Sequence, residues 1–308
     1  LRPGMEEDVR QAKAVADRIG IPFHVFSFRE DFERKVIDPF VRTYREGGTP
    51  NPCVLCNREM KFGRFLEEAE KLGYDGVATG HYASVLFENG RFVLKKAASP
   101  EKDQSYVLYG LSQKQLERVI LPLGGFQKSE VRRMAEENGF AAAQKKESQD
   151  ICFIRDGDYA SFLYRYDGVE SVPGPFEDLN GRRIGTHRGI VHYTVGQRKG
   201  LGLALPEPYY VFEKDPERNA VVLCPKSGML QPSFTARSFN WVSFPPSETP
   251  VSCTVRTRYH QKEIPAVLVP LEDGRVRFDF ESPSDKPARG QSAVAYSGDY
   301  VIGGGIIE

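Results

Sequence analysis

Lys61-Phe62-Gly63-Arg64-Phe65-Leu66-Glu67-Glu68-Ala69-Glu70-Lys71-Leu72-Gly73, followed by Tyr74-Asp75-Gly76-Val77-Ala78-Thr79-Gly80-His81, reads as a helix that feeds a short strand. Phe62, Phe65, Leu66, Ala69 and Leu72 recur on one helical face, Gly73 supplies the stop, and Gly76 to Thr79 is the strand. The pattern recurs upstream. Val9, Ala12, Ala16 and Ile19 share a helical face ahead of Gly20, and Ile21 to Phe28 reads as a buried strand. Val36, Phe40 and Tyr44 then recur at four-residue spacing before Gly47 and Gly48. Helices alternating with short apolar strands imply a parallel sheet covered on both faces, with ligands beyond the carboxyl ends of its strands. Gly80 and His81 occupy such an end.

Downstream, Val85 to Phe87 and Phe92 to Leu94 flank Asn89 and Gly90, a hairpin that leaves the α/β core. Helices resume over 112–119 and 129–138, each opened by a serine suited to capping, and Gly139 ends the second. After about Tyr166 helical periodicity fades, and glycine, proline and short β-rich runs dominate, which reads as two small β domains. The clearest strand is Val251 to His260. Val251, Cys253, Val255, Thr257 and Tyr259 form its packed face, and Arg256, Arg258 and His260 form a basic one. Arg275 to Phe280 also alternates.

The 308 residues exceed one ordinary core, so two or three units are expected. With 40% hydrophobic and 27% charged residues the composition is globular, and no apolar run approaches the roughly 18 residues of a membrane span. Leu1 to Glu7 lacks the pattern of a secretory signal, which makes the cytoplasm the default. Forty-two basic and 42 acidic residues cancel, so any RNA site must be a local patch. Five cysteines, one close pair and three scattered, argue against a disulfide framework and for reactive or metal-bound thiols.

Gly47 to Asn57 is a proline-braced loop running into a helix, with Cys53 and Cys56 three residues apart. A thiol at a helix N-terminus has its thiolate favoured, which makes Cys56 a candidate nucleophile; a metal clip and a redox pair remain open. Cys152 lies between the polar Ser148-Gln149-Asp150 and the apolar Phe153-Ile154, where a core role is the commoner one, and Cys224 and Cys253 read as buried. Lys102-Asp103-Gln104 groups a cation, an anion and an amide suited to phosphate and base-edge contacts or to a solvated helix start. Gly196-Gln197-Arg198-Lys199-Gly200-Leu201-Gly202 is a flexible basic turn without the Walker spacing.

Taken together and in order, these segments resemble the bacterial tRNA 2-thiouridylase family, MnmA. The match runs over essentially the whole chain. It lies in Thr49-Pro50-Asn51-Pro52 with Cys56-Asn57, Ala78 to Tyr82, Lys102 to Tyr106, Ile151-Cys152-Phe153, Gly196 to Gly202, Arg256 to Tyr259, Gly290 to Val294 and Gly303 to Glu308. The resemblance implies an α/β plus β architecture. An ATP-pyrophosphatase-type parallel-sheet domain would cover residues 1–160, a small β-rich central domain 161–226 and a C-terminal β-barrel 227–308. It also implies ATP and Mg2+ as cofactors, and as partners the lysine, glutamate and glutamine tRNAs and a sulfur-donor protein or cysteine desulfurase, with no membrane.

By the same resemblance Asn51, Pro52 and Cys53 contact the target base, and Gly80 lines the ATP site. His81, Lys102, Asp103, Gln104, Arg258, Tyr259 and Gln291 contact tRNA. Cys56 is the catalytic cysteine and Cys152 the persulfide carrier, joined by a disulfide after sulfur release. Two departures follow. The family's opening strand and Ser-Gly-Gly-Val-Asp-Ser phosphate loop are not in these residues, so a truncated chain unable to adenylate RNA is expected. Cys53 stands where the family pattern has an acid/base aspartate, so Cys53, Cys56 and Cys152 could instead hold an iron–sulfur cluster. A small-molecule ATP pyrophosphatase and a noncatalytic RNA-binding module are the rival readings.

Overall fold

The computed structural model describes residues 5–140, 151–154 and 157–308; the expected polar stretch Ser148 to Asp150 lies outside them. The first helix, Met5–Ile19, stops at Gly20, whose φ of +73° needs a residue without a Cβ. Ile21 to Phe28 then runs without a ladder partner, and Ile21 and Val25 are exposed. The buried strand expected there is absent because no described strand lies alongside to take its backbone hydrogen bonds. Helix Asp38–Arg45 behaves as its spacing predicts, burying Phe40, Val41 and Tyr44.

Pro52 opens the next helix at a position that needs no N–H donor. From Cys56 to Arg64 this helix widens into π-type turns, then resumes as an α-helix over Phe65–Lys71. The expected apolar face is only partly buried: Phe62, Leu66 and Ala69 are buried while Phe65 and Leu72 are exposed.

The strands follow in chain order. β1 is Val77–Ala78, β2 Ser84–Glu88, β3 Arg91–Lys95 and β4 Val119–Ile120. β5 is Gly174–Glu177, β6 Arg183–His187, β7 Tyr209–Asp215 and β8 Ala220–Pro225. The remainder are β9 Leu230–Trp241, β10 Val251–Arg256, β11 Ile264–Pro270, β12 Val276–Asp285, β13 Ser292–Ser297 and β14 Tyr300–Ile307. Among the described residues, the sheet of the N-terminal unit is the single parallel pair β1–β4, two residues long. Helix Lys128–Glu137 starts one residue earlier than the expected Ser129 cap; Gln127 caps it, in a capping box with Glu130.

β13, β10, β11, β12, β9 and β14 pair in that order and β14 returns to β13, closing a six-stranded barrel around Val255, Leu268, Phe278 and Ile302. The β2–β3 hairpin, turned by Asn89 and Gly90 at φ +51° and +78°, adds to this sheet through Tyr300 and Lys95. Leu94 joins Val242, Val294, Tyr296 and Val301 in one core with Phe62, Tyr106 and Leu111. The Ser243 hydroxyl accepts from the Leu94 N–H at 2.9 Å and donates to its carbonyl at 3.2 Å. A Cβ on Gly304 would lie 2.6 Å from the Tyr109 ring, so glycine there lets the N-terminal unit press onto the barrel wall.

The central sheet, β6-β5-β8-β7, packs over Phe176, Val211, Val221 and Leu223. Helix Tyr159–Asp167, capped by Asp158 and stopped by Gly168, packs instead on Phe40, Val41 and Tyr44. No helix among the described residues is long and apolar enough to cross a membrane. Because Leu94 is fully buried in the core that barrel and N-terminal unit share, Leu94→Ala is expected to cost about 2–5 kcal/mol. Calorimetry should show both units melting in one transition that moves down together.

Candidate functional site

The glycine pair ends helix Asp38–Arg45 and starts the loop that carries Asn51 to Cys53. Gly48 N–H donates to the Thr43 carbonyl at 2.8 Å, and a Cβ there would fall 2.7 Å from the Thr43 methyl. The barrel holds the next residues. Thr49 N–H donates to the Arg289 carbonyl at 2.7 Å, and Gln291 Nε2 donates to the carbonyls of Thr49 and Pro50 at 3.1 and 3.3 Å. Gln291, expected on RNA, therefore spends its amide bracing this loop. The Asn51 side chain does not cap the helix it precedes; it hydrogen bonds the buried Tyr106 hydroxyl, which itself donates to the Ser292 carbonyl at 2.7 Å.

All five cysteines are free thiols. Cys53 lies in the first turn of the helix, and solvent reaches it at the mouth of a recess of about 520 Å3 shared with Tyr44, Asn51, Ile151, His192 and Gln291. Cys56 is one turn deeper and half-buried. Cys152 is exposed, not a core residue, but its neighbours anchor it: the Phe153 ring contacts Phe40 at 5.2 Å and Phe162 at 5.3 Å, and Ile154 is buried. Cys152 lies close enough for its charge to act on both Cys53 and Cys56. The two distant segments thus bring three thiols into one neighbourhood.

The easily ionised Cys56 expected at a helix start is not what the structure gives. Burial pushes its thiol up to about 11; the Lys61 ammonium pulls the other way, and Cys152 and Cys53 add to the rise. Burial also raises Cys53, with Cys152 adding to it and Lys61 opposing. Lys61 itself was not singled out from the sequence. In an α-helix a residue five positions on from Cys56 points about 140° away, whereas π-type bonding to the fifth residue brings it round toward the thiol. Lys61 Nζ also lies 3.4 Å from His81 Nε2, and His81 Nδ1 lies 2.7 Å from the Thr79 hydroxyl. Burial first, and the Lys61 charge second, push the His81 imidazole down to about 4.

Among the residues expected on tRNA, Arg258 is exposed and Lys102 half-buried. His81 is only 8% exposed. Asp103 is turned inward: its carboxylate accepts from Ala97 N–H, Ser105 N–H and the Ser105 hydroxyl, and pairs with Arg256 at 3.0 Å. The expected strand to His260 stops at Arg256, the last residue of β10, so Arg256, Arg258 and His260 do not share one strand face; Arg256 reaches Glu263 at 2.9 Å and covers the Tyr296 ring. Gln104 accepts from Tyr82 N–H at 2.9 Å and hydrogen bonds Tyr259, which stands near enough to Cys53 to feel its charge. Gly80 is exposed just past β1. Cys224 is buried as expected, whereas Cys253 is half-buried, packed against the barrel core.

Among the described residues no group of three His, Cys, Asp or Glu side chains is placed to hold a metal ion.

Proton NMR of the His81 imidazole is expected to show a midpoint near 4 rather than 6.5. The unfolded chain binds that proton first, so its contribution to stability is lost as pH falls from 6.5 towards 4. Asp103→Ala strands a guanidinium whose side chain is only 14% exposed. With Glu263 left as partner, denaturant titration should show a loss near the lower end of the range for broken buried pairs, about 3 kcal/mol.

Against known proteins, residues 2–156 match a family model described as the tRNA methyl transferase HUP domain. Residues 160–225 match the tRNA methyl transferase PRC-barrel domain, and residues 231–307 the aminomethyltransferase beta-barrel domain. The tRNA-specific 2-thiouridylase MnmA of Acetivibrio thermocellus is 45% identical over 302 residues, covering 97% of this chain and 84% of that protein. The MnmA of Chloroflexus aurantiacus is 47% identical over 303 residues, covering 98% and 84%. Resemblance along nearly the whole length, in the order HUP domain, PRC-barrel, β-barrel, places the chain in the MnmA family of tRNA-specific 2-thiouridylases.

Proposed function

We propose that this protein exchanges the C2 oxygen of a tRNA wobble uridine for sulfur, with ATP as co-substrate and with Cys152 and Cys56 handling the sulfur. The observation that carries the reading is the gathering of Cys53, Cys56 and Cys152 beside the braced loop Gly47 to Cys53, although Cys152 is some hundred residues away in sequence.

The chemistry needs each part. A uridine C2 carbonyl is a poor electrophile with oxide as its leaving group. Transfer of AMP from ATP to that oxygen, with release of pyrophosphate, turns it into a group that departs as AMP. Cys152 carries the sulfur as a hydropersulfide delivered by a donor protein. The Cys56 thiolate attacks the Cys152 Sγ, the S–S bond breaks and the terminal sulfur leaves as hydrosulfide. Hydrosulfide adds to C2, AMP leaves, and 2-thiouridine remains beside a Cys56–Cys152 disulfide that a thiol must reduce.

The target base has to leave its stack to be reached, and a loop held by side chains from several elements is suited to receive it. Asn51, held by Tyr106, and Pro52 present the polar and apolar faces of that loop. Lys61, opposing the burial of Cys56, supplies the nearest positive charge for its thiolate. Arg258, exposed beside this region, is suited to a backbone phosphate.

The test is nucleoside mass analysis of tRNA incubated with ATP, Mg2+, a persulfide source and the protein carrying the family's Ser-Gly-Gly-Val-Asp-Ser phosphate loop ahead of residue 1. 2-Thiouridine is expected, falling to the ATP-free background in Cys56→Ser and in Cys152→Ser. Arg258→Ala should weaken tRNA retention and lower the salt slope of binding by about 1. Product formation undiminished in both cysteine variants, or absent from the unaltered protein, ends the reading.

A further inference from the structure

Lys214, near the end of β7 in the central unit, is 6% exposed, and no ion pair relieves its burial among the described residues. Its ammonium donates to the Gly48 carbonyl at 3.0 Å and sits 5.4 Å from the centre of the Tyr44 ring. The same stretch of β7 is wedged against the glycine pair: a Cβ on Gly47 would lie 3.0 Å from the Lys214 carbonyl and 3.0 Å from the Pro216 ring.

The strand is bent to make this contact. In an unbroken β7, Val211 and Lys214, three apart, would point to opposite faces. The register with β8 slips at Phe212, so that Val211 pairs with Leu223 but Lys214 with Val221, and both then share the face that carries the central core. A bulge that re-aims one side chain is a device for placing that side chain. Burying a lone cation costs desolvation, which has pushed the Lys214 ammonium down to about 8; an apolar side chain of similar length would pack there at lower cost. Stability therefore does not account for a lysine at this place.

We propose that Lys214 is a positioning residue for sulfur transfer: by holding the Gly48 carbonyl from the central unit, it sets the pose of the loop that presents Asn51, Pro52 and Cys53. The assignment rests on the function proposed above. Helix Asp38–Arg45 and the barrel already grip the loop through Thr43, Arg289 and Gln291, and Lys214 adds the third unit of the molecule to that grip.

The experiment compares Lys214→Met with the unaltered protein, using Lys214→Arg, which keeps a donor, as the conservative control. Removing the buried charge should leave the melting temperature unchanged or higher. Amide exchange at Gly48, Thr49 and Asn51 should quicken about tenfold. Turnover should fall about 10- to 100-fold while the dissociation constant for tRNA stays within about twofold, the signature of a misplaced reacting group. Retention of slow exchange and most turnover in Lys214→Arg supports the tether. Unchanged exchange at these amides in Lys214→Met overturns the proposal, as does a loss confined to tRNA affinity. Exchange is read without thiolation, so a protein that makes no 2-thiouridine would refute the function and leave the tether to be judged on exchange.

Discussion

The Asp103 carboxylate is the interaction on which the rest leans. It closes the turn between Ala97 and Ser105 and, from a nearly sealed position, holds Arg256 at the end of β10. That pair sets the barrel against the N-terminal unit at one angle. The core of Tyr106, Tyr296 and Leu94 fills the space behind it, and Arg289 and Gln291 reach the loop from the barrel side. An ion pair out of water adds little net stability over an apolar substitute, yet it penalises other orientations strongly. Orientation is what a site assembled from separate units requires.

The site shows a tension between packing and reactivity. Cys56 sits one turn below the exposed Cys53, where protein crowds it, and burial favours its uncharged form. A sulfur held as thiol is protected from stray oxidation and metal capture, whereas attack needs the thiolate. Lys61 supplies a standing bias toward ionisation, and His81, kept neutral by burial, can accept from Lys61 without adding a second charge. Reactivity at Cys56 is thus set by a balance that a bound polyanion and its base would alter.

Much of this was legible in the residues. Val36, Phe40 and Tyr44 gave a helix and its buried face, Asn89 and Gly90 a hairpin, and Val276, Phe278 and Phe280 an alternating barrel strand. Local patterns carry such features because their causes are local. The strand at Ile21 to Phe28 failed because apolar content alone cannot supply a ladder partner. The basic face was read too far, to His260, because the strand ends at Arg256 and alternation tells nothing about side chains beyond a strand end. Lys61 and Lys214 were invisible for one shared reason: a π-type turn and a β-bulge each break the period by which faces are read. The support that Asp103 gives to Arg256 and the Ala97–Ser105 turn was not legible, because a motif records which residue is needed and not what it packs against.

The β2–β3 hairpin leaves the N-terminal unit only to become part of the barrel's sheet, with Arg91 donating to the carbonyls of Trp241 and Val242 at 2.8 Å. The barrel is therefore not a detachable module. A gene fusion or recombination event that exchanged residues 230–307 alone would strip a neighbour from β14 and open the wall behind Leu94. The unit that such events can move intact must include residues 84–95, which lie more than a hundred positions upstream, so inheritance of the two regions is tied by carpentry rather than by chemistry.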